Sequence, residues 1–303
     1  MSSRPATSMR AVREFFTLSD DTSTVIMMDD FKNMSSDDPA IDAVLREAEK
    51  AESAGKRDDA IALYRKASDA GCSQATVHLA MMLIDGTDDE RRMAISLLEK
   101  ADEMGNDSAT RNLGYCYAVG IGVEKDKETA ADLYIKAAEA GNARAMCNIG
   151  VLYSYGHGVP LDHAKAAEWY RRSAESGYSR GMTNYACALR DGKGVEKNPK
   201  AAEDWLWKAG SPRAKRLLAI MMLEGKDIPK NEECGRSLIE DAAKTDSKAM
   251  VVLGDLIVNE DRERAIELYT SAATKWNNDA KERLQELGVP LPEEKPRKSK
   301  KKD

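Results

Sequence analysis

Along most of the chain, apolar residues recur at intervals of three and four between charged positions, the spacing of one face of an α-helix rather than the alternation of a strand. The pattern comes in blocks that resemble one another. One block runs from Ala60 to Gly71 (AIALYRKASDAG) and returns from Ala94 to Gly105, Ala130 to Gly141 and Ala166 to Gly177 (AAEWYRRSAESG). Looser versions start at Ala202, Gly235 and Ala265, so seven copies follow at spacings of 34, 36, 36, 36, 33 and 30 residues. A second block travels with the first, at Ala75, Ala109, Ala145 and Gly181, and more weakly at Ala214, Ala249 and Ala280. Its apolar residues, such as Ala145, Ile149, Leu152 and Tyr153, keep the helical period. Each repeat therefore predicts a helical hairpin. A lone hairpin cannot bury its apolar stripe, so the hairpins must stack.

The small residues fit that picture. Ala130, Ala137 and Gly114 fall where two helix axes must approach, with Leu113, Tyr117 and Tyr134 filling the volume between them. Gly141 and Gly177 stand where a helix ends in a left-handed residue, and the GIGV, GHGV and GKGV turns offer two such positions each. None of these glycines precedes Lys-Ser/Thr, so a phosphate-binding loop is not expected.

The units AxxxLGxxYxxGxGV and AxxxYxxAAxxG resemble Sel-1-like repeats, relatives of the tetratricopeptide repeat. The match is strongest from Ala94 to Ala209 and decays outward toward about Asp42 and Leu287. The first hairpin, with its short GKRDD turn, is closer to an ordinary tetratricopeptide unit. The resemblance implies an all-α fold, a right-handed α-solenoid of about seven hairpin repeats whose first helices line the inner face. Residues 39–288 are expected to form it, between a disordered, Ser/Thr-rich acidic segment 1–38 and a flexible basic tail 289–303.

Composition supports helices: 6% aromatic residues and only three Phe leave little material for a large β-core. No apolar run is long enough to span a membrane, and MSSRPATSMRAVREFF has no apolar secretory core, so a cytoplasmic or nuclear chain is expected. The net charge of −6 hides an asymmetry. Lys295 to Lys302 carries six basic residues, leaving 40 basic against 52 acidic in the rest. An acidic body argues against nucleic-acid binding except through that tail, which also matches an import signal or an electrostatic contact. In the N-terminal segment two apolar clusters stand before paired acids: Phe15 to Leu18 before Asp20 and Asp21, and Val25 to Met28 before Asp29 and Asp30. They suit linear motifs that bind a partner or dock back on the repeats.

Catalytic chemistry finds no footing. His78, His157 and His163 fall in different repeat roles, and Cys72, Cys116, Cys147, Cys187 and Cys234 show no metal or disulfide spacing. The cysteines are expected to be buried apolar side chains and the carboxylates to lie on solvated helix faces. No cofactor, metal or enzymatic activity is expected. Aligning the first helices gives a column of His78, Asn112, Asn148 and Asn184, and four residues earlier a column of Gln74, Ser108, Arg144, Arg180, Arg213 and Lys248. In tetratricopeptide relatives an Asn on the first helix commonly bonds the main chain of an extended peptide. The expectation is a noncatalytic scaffold that holds an acidic or C-terminal peptide. Arg144, Arg180 and Arg213 would supply charge; Asn112, Asn148, Asn184 and His78 would supply polar contacts. A nuclear or RNA-associated adaptor and a regulatory subunit of an enzyme complex are the alternatives.

Overall fold

Every block read from the sequence forms a helix in the computed structural model, which describes residues 38–292 and contains fifteen helices and no strand among them. The chain divides into two units at Ser176 and Gly177. In the first, α1 (Pro39–Ser53) pairs with α2 (Arg57–Asp69), α3 (Ser73–Leu83) with α4 (Asp88–Glu103), α5 (Asp107–Val119) with α6 (Lys127–Glu139), and α7 (Ala143–Tyr155) with α8 (His163–Glu175). In the second, α9 (Ser179–Asp191) pairs with α10 (Pro199–Ala209), α11 (Pro212–Glu224) with α12 (Glu232–Ala243), and α13 (Ser247–Ile257) with α14 (Arg262–Thr274). There α15 (Asn278–Glu286) packs on α14 as a first helix with no second helix among the described residues. Within each unit the hairpins stack, each second helix also touching the first helix that follows it.

Most of the helices begin at a side chain that takes up the exposed N–H groups of the first turn. Thr87 and Glu90 form a reciprocal capping box on α4, while Asp126 and Asp162 cap α6 and α8. Asn106 and Asn142 cap α5 and α7 directly after the glycine that ends the previous hairpin. Some caps also join repeats: Asn106 Nδ2 donates to Ser73 Oγ at 3.2 Å, and Asn277 Nδ2 to Ser247 Oγ at 3.4 Å.

The turns inside the hairpins set the stacking distance. Gly156 and Gly158 of GHGV have φ of 66° and 73°, as the repeat pattern predicts. A Cβ on Gly158 would also run into the Lys127 carbonyl of α6, so the turn of one hairpin rests on the second helix of the hairpin before it.

Inside each hairpin the closest approach is made by a small residue on the first helix and a large one on the second. A Cβ at Gly114 would lie 3.0 Å from the Tyr134 ring, and one at Gly150 2.7 Å from the Tyr170 ring. Gly254 and Tyr269 repeat the arrangement on α13 and α14. Where the first helix has Ala at this position, as at Ala80, Ala186 and Ala219, the second carries a smaller Leu98, Leu206 or Ile239. The first hairpin alone mixes the two, with Ala48 and Tyr64. Size is thus conserved across the pair rather than at either residue, as close packing requires.

Tyr64 also meets the next repeat. Its ring stacks on His78 of α3 with centroids 4.9 Å apart, while its hydroxyl donates to Glu52. His78 is 5% exposed, and burial lowers its pKa from 6.5 to about 4.

Two outcomes are expected. Gly150→Ala should lower the urea midpoint, since overpacking costs about 1–3 kcal/mol against about 1 kcal/mol gained in helix propensity. Adding Tyr170→Leu reproduces the Ala186 and Leu206 combination and should recover stability, with a coupling near 1 kcal/mol in a double-mutant cycle; strictly additive effects would show that the two residues do not share one volume. For His78, the folded pKa lies below the unfolded one, so its contribution is full above pH 6.5 and is lost as pH falls toward 4. The size is roughly 3 kcal/mol. His78→Phe keeps the stack without the titration, and its stability should fall less steeply than the parent's over that window when followed by urea unfolding. Parallel curves would count against a buried neutral imidazole.

Candidate functional site

The faces of α5 can be told apart by what they touch. Thr110 Oγ1 donates to the Asp102 carboxylate of α4, and Gly114 lies against Tyr134 of α6. At roughly 100° per residue, Ser108, Arg111, Asn112 and Tyr115 fall away from that side. The equivalent positions on α7 are Arg144, Cys147, Asn148 and Val151, and on α3 Gln74, Val77, His78 and Met81. The column read from the sequence therefore does lie on one face of each first helix. It is not an open face, however. Asn112 is 1% exposed and Arg111 2%, Asn148 is buried and Arg144 half-buried. His78 is occupied by its stack on Tyr64.

Asn112 Oδ1 is buried and accepts no hydrogen bond. Leaving such an acceptor unmet costs about 1–3 kcal/mol, so the position is primed for a donor. In the second unit the same repeat position is closed differently. Arg213 Nη1 on α11 donates to Asn184 Oδ1 on α9 at 3.0 Å. One first helix thus fixes the amide oxygen of the preceding one. The corresponding pair in the first unit is Arg144 and Asn112, where the bond to Oδ1 is absent. Arg180 and Lys248 are half-buried on α9 and α13, and Gln74 is exposed.

A buried ion pair on these helices escaped the sequence reading. Arg216 Nε donates to Asp246 Oδ2 at 2.9 Å, with side chains 10% and 7% exposed. Asp246 also caps α13, accepting from the Lys248 and Ala249 N–H groups. The expectation that carboxylates lie on solvated faces is corrected here: this one is held inside because it pairs with a guanidinium and satisfies a helix start at once. The signal was present, since Arg216 stands two residues after Ala214 as Arg111 stands two after Ala109, and Asp246 occupies the cap position of Asn106 and Asn142.

The cysteines are free, with Cys72, Cys116 and Cys147 buried, whereas Cys187 and Cys234 are half-buried rather than buried as expected. Burial pushes the Cys116 thiol up to about 12 and also raises that of Cys187, which keeps both protonated and poorly nucleophilic near neutral pH. Among the described residues no three His, Cys, Asp or Glu side chains are grouped to hold a metal ion. No described helix is long and apolar enough to cross a membrane.

This geometry has known counterparts. The profile of the Sel1 repeat matches residues 56–72, 107–142, 143–178, 179–211, 212–243 and 251–275, together more than half of the chain. A Sel1 repeat protein from Oxalobacter formigenes is 25% identical, with a TM-score of 0.65 over 79% of this chain and 99% of that one. The c5321 protective antigen of uropathogenic Escherichia coli, which displays an SLR fold, is 24% identical with a TM-score of 0.60 and shows the fold alone. That match covers 93% of this chain and 63% of the antigen. Among curated proteins none matches the sequence. Four of the matched segments run from the start of a first helix to the end of its second, the same hairpin that the glycines, caps and tyrosines define. The chain belongs to the Sel1 repeat family.

Proposed function

We propose that this protein is a noncatalytic interaction scaffold, and that the faces of its first helices receive an acidic or C-terminal peptide segment of a protein partner. Sel1 repeat proteins generally act as protein-interaction scaffolds. The finer reading is carried by one observation: Asn112 offers a buried carbonyl oxygen with no donor, on a face whose next first helix contributes the half-buried Arg144. An extended peptide suits that face. Its main-chain N–H suits Asn112, and a carboxylate suits the Arg144 guanidinium, a charge-assisted contact of the stronger kind. Asn148 lies one turn beyond Arg144 on α7 and extends the row of polar contacts. In the second unit Arg180 plays the cationic part, with Asn184 oriented by Arg213 as the main-chain donor. The tetratricopeptide comparison made from sequence points the same way, because there the amide also reads main chain while cations read carboxylates.

The test is charge reversal followed by recovery of partners. Arg144→Glu and Arg180→Glu should each reduce capture of the principal partner at least tenfold in affinity purification with mass spectrometry, a loss of about 1.4 kcal/mol or more. Both sites are half-buried rather than buried, so circular dichroism and the urea midpoint should stay near those of the parent. Undiminished capture by both folded variants would contradict the reading.

A further inference from the structure

The first-helix face of the first unit is covered more completely than its flanking helices explain. α5 packs between α4 and α6, and α7 between α6 and α8. Flanking helices bury one side of a helical cylinder and leave the opposite crest to water, the usual state of an amphipathic helix. Yet on α5 the buried residues run without interruption from Ala109 to Cys116, and on α7 from Ala145 to Leu152. The crest itself is buried, including Asn112 and Tyr115 on the side away from Thr110 and Gly114. The repeat does not demand all of this. At the positions of Tyr115, Cys187 on α9 and Ile220 on α11 are half-buried, as is Leu217 on α11 at the position of Asn112, although Asn184 on α9 is buried there.

We propose that residues 14–31 of the same chain occupy this face, as an internal stand-in for the partner peptide. The proposal rests on the peptide-binding reading of the face and adds its regulation. Residues 14–31 lie outside the described residues, and their chemistry is complementary to the face. They carry five carboxylates and no cation, in two clusters that each set apolar side chains before paired Asp: Phe15 to Asp21 and Val25 to Asp30. The face carries Arg111 and Arg144, no carboxylate at the equivalent positions of α5 and α7, and apolar Tyr115, Cys147 and Val151 between the polar groups. Length permits the contact. The described chain begins at Asp38, the cap of α1, in the same unit. Twenty residues from Leu18 to Asp38 reach at most roughly 65–70 Å, whereas six helix-to-helix steps from α1 to α7 amount to at most about 60 Å. A tethered segment acts at an effective concentration on the order of millimolar, so an outside peptide of the same chemistry must displace it.

Photocrosslinking in the intact chain tests this without any partner. With p-benzoyl-phenylalanine at position 16, in a mixture of isotopically light and heavy chains, crosslinks are expected within one chain, onto the peptides of α5 and α7. Replacing Asp20, Asp21, Asp29 and Asp30 by Asn should cut their yield at least fivefold. Crosslinks that fall only between two chains, only on the second helices α4, α6 and α8, or nowhere would overturn the proposal, as would a yield indifferent to the four substitutions. Because no partner is present, such a failure would leave the peptide-binding reading intact. That reading fails instead when Arg144→Glu and Arg180→Glu capture partners undiminished.

Discussion

The close approach of the two helices of a hairpin is the contact from which the remaining structure follows. Gly114, Gly150 and Gly254 let a tyrosine ring lie directly on a helix backbone, and where the small residue grows to Ala the large one shrinks to Leu or Ile. Such pairs bury much area with few atoms, which explains how a chain with only three Phe builds continuous cores. The same approach fixes the rotation of each first helix about its axis. Once Gly114 faces Tyr134 and Thr110 faces Asp102, the positions of Asn112 and Tyr115 are determined.

Stacking of one hairpin on the next uses polar groups rather than more apolar area. Asn106 and Asn277 cap their own helices and donate to the first residue of the preceding first helix. Asp246 does comparable work with a charge, serving α13 as a cap and Arg216 as a partner. Each such residue satisfies two demands at once, so replacing one disturbs both a helix start and a repeat contact. The face proposed for recognition inherits this rigidity, since its amides and cations are carried by helices that caps and glycines hold in register.

Much of this was legible in the sequence. The hairpins, their number, the glycines that end helices and the packing of Gly114 near Tyr134 all follow from period and side-chain size, which are local properties repeated seven times. His78, Asn112, Asn148 and Asn184 recur at one position of their own first helices for the same reason. What period does not report is environment. It shows that Asn112 is polar at an interval, but not that its oxygen is buried without a donor, nor that Arg213 closes the equivalent position at Asn184. The pair of Arg216 and Asp246 was missed because its members lie thirty residues apart and each alone looks like surface charge. The division at Ser176 and Gly177 was also invisible, because the repeat pattern passes through it unchanged.

The central claim is that recognition takes place on the first helices. Hydrogen exchange of the full chain, alone and bound to the partner recovered with it, addresses that claim directly. Slowed exchange should concentrate in peptides covering residues 107–119 and 143–155, the spans of α5 and α7, while α4, α6 and α8 stay unchanged. Protection confined to those second helices, with the first helices unaltered, would contradict the account.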